Sequence, residues 1–81
     1  MYTLYILLCA DGTLYTGIAK DLASRLKVHE SGKGSKYVNA RLPFKLIYQE
    51  SHANRSLASK RESEIKSWDR RKKISELELS I

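Results

Sequence analysis

Five side chains in this sequence could act together on one reacting centre: Tyr5, Tyr15, Arg25, His29 and Glu62. Each alone is ordinary. A tyrosine on a half-buried strand is usually core with its hydroxyl at the surface, an arginine on a helix is usually solvated, and a lone histidine is more often structural than catalytic. Together they supply two phenols, a guanidinium, an imidazole and a carboxylate, an inventory that suits metal-assisted attack on a phosphodiester. Other chemistries are poorly served. Cys9 precedes His29 by twenty residues with no evident group to orient the pair, so no nucleophilic triad is visible. Ser31-Gly32-Lys33-Gly34-Ser35-Lys36 looks at first like a phosphate loop. It lacks the required glycine-to-lysine spacing and follows an expected helix rather than a strand, which argues against an NTPase and a nucleotide cofactor. Two readings of that stretch stay open: a helix stop with a basic loop, or Lys33 and Lys36 tracking a phosphate backbone.

The elements that must position these groups can be read from the pattern. Tyr2 to Cys9 and Leu14 to Ile18 predict two strands joined at Asp11-Gly12. A strict two-residue turn there would pair Tyr15 with Leu8 and put Tyr5 and Tyr15 on opposite sheet faces. If both phenols serve one site, the connection must hold an odd number of residues or a bulge, and that is the expectation. Asp21 predicts the cap of a helix running to Glu30 with Gly32 beyond its end. On it Leu22, Arg25, Leu26 and His29 share one face. Ser31 to Arg41 reads as a loop. Pro43 to Gln49 predicts a third strand, with Phe44, Leu46 and Tyr48 on one side and Ile47 on the other. Asn54 predicts the cap of a helix to about Trp68, with Leu57, Ala58, Ile65 and Trp68 as its apolar stripe. Asp69 predicts a final short helix carrying Ile74, Leu77 and Ile81. The order β-β-α-β-α-α makes an α+β fold, a small three-stranded antiparallel sheet flanked by helices, in a single domain over residues 1–81.

Composition narrows the partners. The chain has 81 residues with 15 Lys plus Arg against 9 Asp plus Glu, a net charge of +6, and 42% apolar residues. That apolar content is too high for a disordered polycation, and a domain this short has little room to enclose a large cofactor. The charge is uneven: residues 1–19 carry only Asp11, whereas Arg55 to Lys73 holds eight Lys and Arg against Glu62, Glu64 and Asp69. A basic domain containing aromatics points to a polyanion, with nucleic acid slightly favoured over a solvated helical face. Lone Cys9 excludes an intrachain disulfide, and with His29 and His52 it cannot make a four-ligand zinc site. Leu4 to Ala10, the longest apolar run, is far short of the about 18 residues of a membrane span. The expectation is a cytoplasmic protein with no membrane contact.

The constellation resembles the GIY-YIG nuclease superfamily. Leu4-Tyr5-Ile6 stands at its first motif and Tyr15-Thr16-Gly17 at its second, ten residues on from tyrosine to tyrosine. The first lacks a glycine and the second has Thr16 in place of isoleucine, but both tyrosines are kept. Arg25 with His29 four residues later is similar to the helix motif, and Glu62 within Arg61-Glu62-Ser63-Glu64-Ile65-Lys66 to the acidic one. Cys9 through Gly17, and Ser31 through Tyr37, resemble the small single-domain bacterial (YhbQ-like) branch. Helical periodicity does not choose between Glu62 and Glu64; the motif selects Glu62.

The resemblance implies a metal-dependent nuclease hydrolysing phosphodiester bonds in DNA or RNA. Glu62 would bind one Mg²⁺ or Mn²⁺, Arg25 would fork onto phosphoryl oxygens, and Tyr15 would be base for the attacking water, with Tyr5 or His29 relaying the proton. Lys33, Lys36, Arg41 and Lys66 are the candidates for holding nucleic acid, DNA first. With no room for a second domain, a protein partner is a further expectation. A non-catalytic nucleic-acid binder, or a protein-interaction module, is the competing reading.

Overall fold

In the computed structural model, which describes residues 1–81, the order is β1 (Tyr2–Cys9), β2 (Leu14–Ala19), α1 (Leu22–Glu30), α2 (Lys36–Asn39), β3 (Phe44–His52), α3 (Arg55–Lys66) and α4 (Arg70–Glu76). The strands form one antiparallel sheet in the order β2-β1-β3. β1 is the middle strand, and its run Leu4-Tyr5-Ile6-Leu7 is wholly buried. Such a run lacks polar alternation because both faces of the sheet are covered. Leu4 and Ile6 pack with Ile65, Leu77 and Leu79 on the α3–α4 side. Tyr5 and Leu7 pack with Ala19 and Val38 on the α1–α2 side, where Leu22 and Leu26 join them.

The hairpin has the odd connection that a shared site requires. The Cys9 amide donates to the Thr13 carbonyl and the Gly12 amide to the Cys9 carbonyl, each at 2.9 Å, so Ala10-Asp11-Gly12 is a three-residue loop. Gly12 lies at φ +83°, the left-handed position that ends this turn type. Asp11 stiffens it by accepting from the Thr13 amide at 3.1 Å and its hydroxyl at 2.6 Å. Tyr5 therefore pairs with Gly17 and Leu7 with Tyr15, which puts both phenols on one face.

The remaining elements follow the expected caps, with corrections in detail. Asp21, Asn54 and Asp69 accept from the amides of Ser24, Leu57 and Lys72 and start α1, α3 and α4. The 31–41 segment is not wholly loop: Ser35 accepts from the Tyr37 amide and caps α2, whose Val38 is fully buried. A bulge at Ile47 makes Tyr48 face Ile6 while Leu46 faces Leu7. Phe44 and Leu46 thus lie on the α1 side, and Tyr48 joins Ile47 on the α3 side instead of sharing their face. Leu57 is exposed rather than part of the α3 stripe, because Ala58 and Ile65 carry the buried face. Ile81 is also exposed; the chain turns at Glu78 (φ +53°) and inserts Leu79, whose amide donates to the Ile74 carbonyl.

Candidate active site

The principal cleft, about 470 Å³, lies at the outer edge of the sheet beside the last residues of β2. Tyr5 and Tyr15 reach it from the hairpin, Arg25 from α1 on one face of the sheet, and Arg55, Ser59 and Glu62 from α3 on the other. Lys20, just beyond β2, adds a further cation. Glu62 is the sole acid lining the cleft, against Lys20, Arg25 and Arg55, so the cleft is net positive and suited to an anionic substrate.

Gly17 is what allows the two phenols to meet there. A Cβ at this position would lie 2.7 Å from Tyr5 Oη, 2.8 Å from Tyr5 Cζ and 3.1 Å from Tyr15 Cε2. The Tyr5 ring crosses directly over the Gly17 backbone, with the Tyr15 ring 6.3 Å away centroid to centroid.

Tyr5 Oη and His29 Nε2 lie 2.8 Å apart in the buried layer beneath the cleft. Burial, reinforced by the neighbouring Tyr15 phenol, pushes the Tyr5 pKa up to about 12, with Arg25 pulling the other way. Burial, then the Arg25 charge, holds His29 below the usual histidine range. Both groups are therefore neutral near pH 7. His29 Nδ1 is buried without a partner, and an orphaned lone pair is better tolerated than an orphaned N–H. The favoured tautomer carries its proton on Nε2 and donates to Tyr5 Oη, which leaves the Tyr5 hydroxyl proton free to donate into the cleft.

The two acids of the α3 motif separate cleanly. Glu62 faces the cleft with Lys66 Nζ 3.3 Å from its Oε2. Glu64 points away and pairs with Arg61, which in turn reaches Glu50 on β3. No group of three or more His, Cys, Asp or Glu side chains stands ready to chelate an ion. A hard cation such as Mg²⁺ or Mn²⁺ is commonly held by one or two carboxylates, with waters and substrate phosphate completing its shell. One carboxylate in an open, polar cleft fits an ion of that kind, and Glu62 is the residue that would hold it.

Among the expected nucleic-acid contacts, only Lys66 adjoins the cleft, through Glu62. Lys33, on the α1–α2 connection, and Lys36, the first residue of α2, are exposed and do not line it. Arg41 is engaged elsewhere: its Nε lies 2.9 Å from Asp11 Oδ2, its guanidinium lies 3.9 Å from the centre of the Tyr37 ring, and it donates to the Tyr37 carbonyl. It fastens the hairpin tip to α2. Conversely, the sequence reading passed over Lys20, Arg55 and Ser59. Arg55, Ser59 and Glu62 recur at i, i+4 and i+7, a polar stripe on one helix face that could have revealed the first two of these three.

Comparisons with known proteins bear on family and fold. The family model described as the GIY-YIG catalytic domain matches residues 1–75. A UPF0213 protein of Staphylococcus aureus strain Mu3 is 50% identical over 70 residues, covering 86% of this chain and 85% of that protein. The solution NMR structure of the UPF0213 protein BH0048 from Bacillus halodurans is 42% identical, with a TM-score of 0.60, covering 93% of this chain and 81% of that one. The solution NMR structure of protein EF2693 from E. faecalis is 37% identical, with a TM-score of 0.69, covering 95% and 82%. With its profile matched nearly end to end, its fold shared with these relatives and both tyrosines at one cleft, this chain belongs to the GIY-YIG family, among its small bacterial members.

Proposed function

We propose that the protein is a metal-dependent nuclease that hydrolyses phosphodiester bonds in DNA, with RNA as the alternative polymer. The observation that carries this reading is the convergence of Tyr5, Tyr15, Arg25 and Glu62 on one net-positive cleft. A binding module would need the positive charge but not two phenols and a carboxylate beside it.

The roles follow from the environments. Tyr5, buried and neutral, serves as a fixed hydrogen-bond donor backed by His29. Tyr15, the half-exposed phenol, takes the proton from the attacking water, with Arg25 lining the same cleft. Arg25 also offers a planar fork of donors to the phosphoryl oxygens. Lys20 and Arg55 hold the flanking backbone. A Mg²⁺ or Mn²⁺ ion on Glu62 would supply charge stabilisation for the leaving oxygen and the phosphorus centre. A buried single thiol, Cys9, suits work in a reducing cytoplasm.

The test is a cleavage assay on single-stranded, double-stranded and branched DNA and on RNA, with and without Mg²⁺ or Mn²⁺. Wild type should cut only with metal. Glu62→Ala and Tyr15→Phe should each abolish cutting while leaving nucleic-acid affinity largely intact. Cleavage that survives either substitution refutes the role assigned to that residue, and binding without cleavage under every condition leaves a binding module.

A further inference from the structure

A second depression, about 540 Å³, opens beside the hairpin tip and is lined by Asp11, Gly12, Thr13, Leu14, Tyr37, Arg70 and Lys73. Its cations are uncompensated. The Asp11 carboxylate is already paired with Arg41 at 2.9 Å, and neither Arg70 nor Lys73 has a carboxylate partner within ion-pair distance. Arg70 donates one N–H to the Gly12 carbonyl, which fixes its guanidinium at the tip and leaves its other donors available. Lys73 is half-buried, and burial together with the nearby Lys66 ammonium holds its pKa below the usual lysine range. A crowded, partly desolvated cation without a counter-charge is stabilised by an incoming anion.

Two links join this depression to the principal cleft. The ring of Tyr15, which lines the cleft, lies 5.9 Å from the ring of Tyr37, which lines the depression. Lys66 sits 3.3 Å from Glu62 and near Lys73. Thr13, just before β2, and Gly17, within it, mark the two sites, four residues or about 13 Å of extended chain apart. A nucleic-acid strand covers that distance within a few nucleotides.

We infer that Arg70 and Lys73 form a second phosphate subsite, which holds the backbone of the same strand a few nucleotides from the phosphate at Glu62. This rests on the principal cleft being where nucleic acid binds. Tyr37 and the hairpin tip wall the subsite, and its two cations contribute through charge on the phosphate backbone.

The experiment measures anisotropy of a fluorescein-labelled oligonucleotide, single-stranded and duplex, titrated with Glu62→Ala protein so that no cutting intervenes. Adding Arg70→Gln with Lys73→Gln should reduce the slope of log affinity against log salt by about two, one for each phosphate that is no longer neutralised. Between about 50 and 200 mM salt the double variant should then lose about 16-fold less affinity than its parent. Lys73→Gln alone, which keeps the Arg70 anchor, should reduce the slope by about one. Lys27→Gln with Lys45→Gln removes the same charge from residues that line neither site, and should leave the slope nearly unchanged. An unchanged slope in the Arg70 and Lys73 variants, or an equal drop in the control, overturns the subsite alone. A parent that binds neither probe overturns the nuclease reading together with it.

Discussion

Gly17→Ala is the sharpest test of how the site is packed. The added methyl would lie 2.7 Å from Tyr5 Oη and 2.8 Å from Cζ, well inside normal contact. The ring has no easy retreat: Tyr5 is wholly buried on the middle strand, and its hydroxyl is tied to His29 at 2.8 Å. Forcing a methyl into such packing costs about 1–3 kcal/mol. Against this, replacing glycine by alanine in extended backbone returns about 0.4–1 kcal/mol by restricting the unfolded chain. The net expectation is a loss of about 1–2 kcal/mol, a fall in Tm of roughly 4–16 °C for a domain of this size. Urea unfolding followed by circular dichroism would measure it, with the midpoint lowered and the m-value unchanged. Cleavage should fall further than stability alone dictates, because the methyl also displaces Tyr15. Tyr5→Leu, which clears the clash, should make the Gly17→Ala step less costly in the double variant than in wild type. A Gly17→Ala protein as stable as wild type would refute the account of the crossing.

Two further outcomes test the supporting layer. Tyr5 titrates near 12 when folded and near 10 when unfolded, so between these pH values the unfolded chain binds fewer protons and stability falls as pH rises. That loss amounts to about 3 kcal/mol; Tyr5→Phe should flatten the stability profile above pH 10 by this amount, checked by urea unfolding at stepped pH. Asn54→Ala removes the acceptor at the start of α3 and should cost about 1 kcal/mol, read from thermal unfolding.

Much of this arrangement is legible in the sequence because local chemistry dictates it. Asp21, Asn54 and Asp69 announce helix starts, since each can accept an amide bond that the helix cannot satisfy internally. The hairpin register is legible in a different way: two phenols can share a site only across an odd connection or a bulge, and the three-residue turn ending at Gly12 supplies the former. What escapes a reading of the sequence depends on distant partners. The bulge at Ile47 is hidden in an apolar run, because both candidate faces are buried. α2 is one turn long, too brief for a periodic signal, and shows itself only through Ser35 and buried Val38. Periodicity cannot separate Glu62 from Glu64, since the choice follows from where α3 sits against β2. Arg41 has the chemistry of a phosphate contact, but Asp11 and Tyr37 claim it.

The sheet itself divides the chemistry. The phenols, Arg25 and His29 all belong to residues 1–30, and the Glu62 carboxylate arrives on α3 from across the sheet. Neither portion holds the full set of candidate groups. A chain whose α3–α4 layer has come undone would keep its phenols, its guanidinium and much of its positive surface, yet be chemically disarmed. Under the activity proposed above, an assembly across a sheet of this kind carries its own safeguard: it could damage nucleic acid only once both layers have closed.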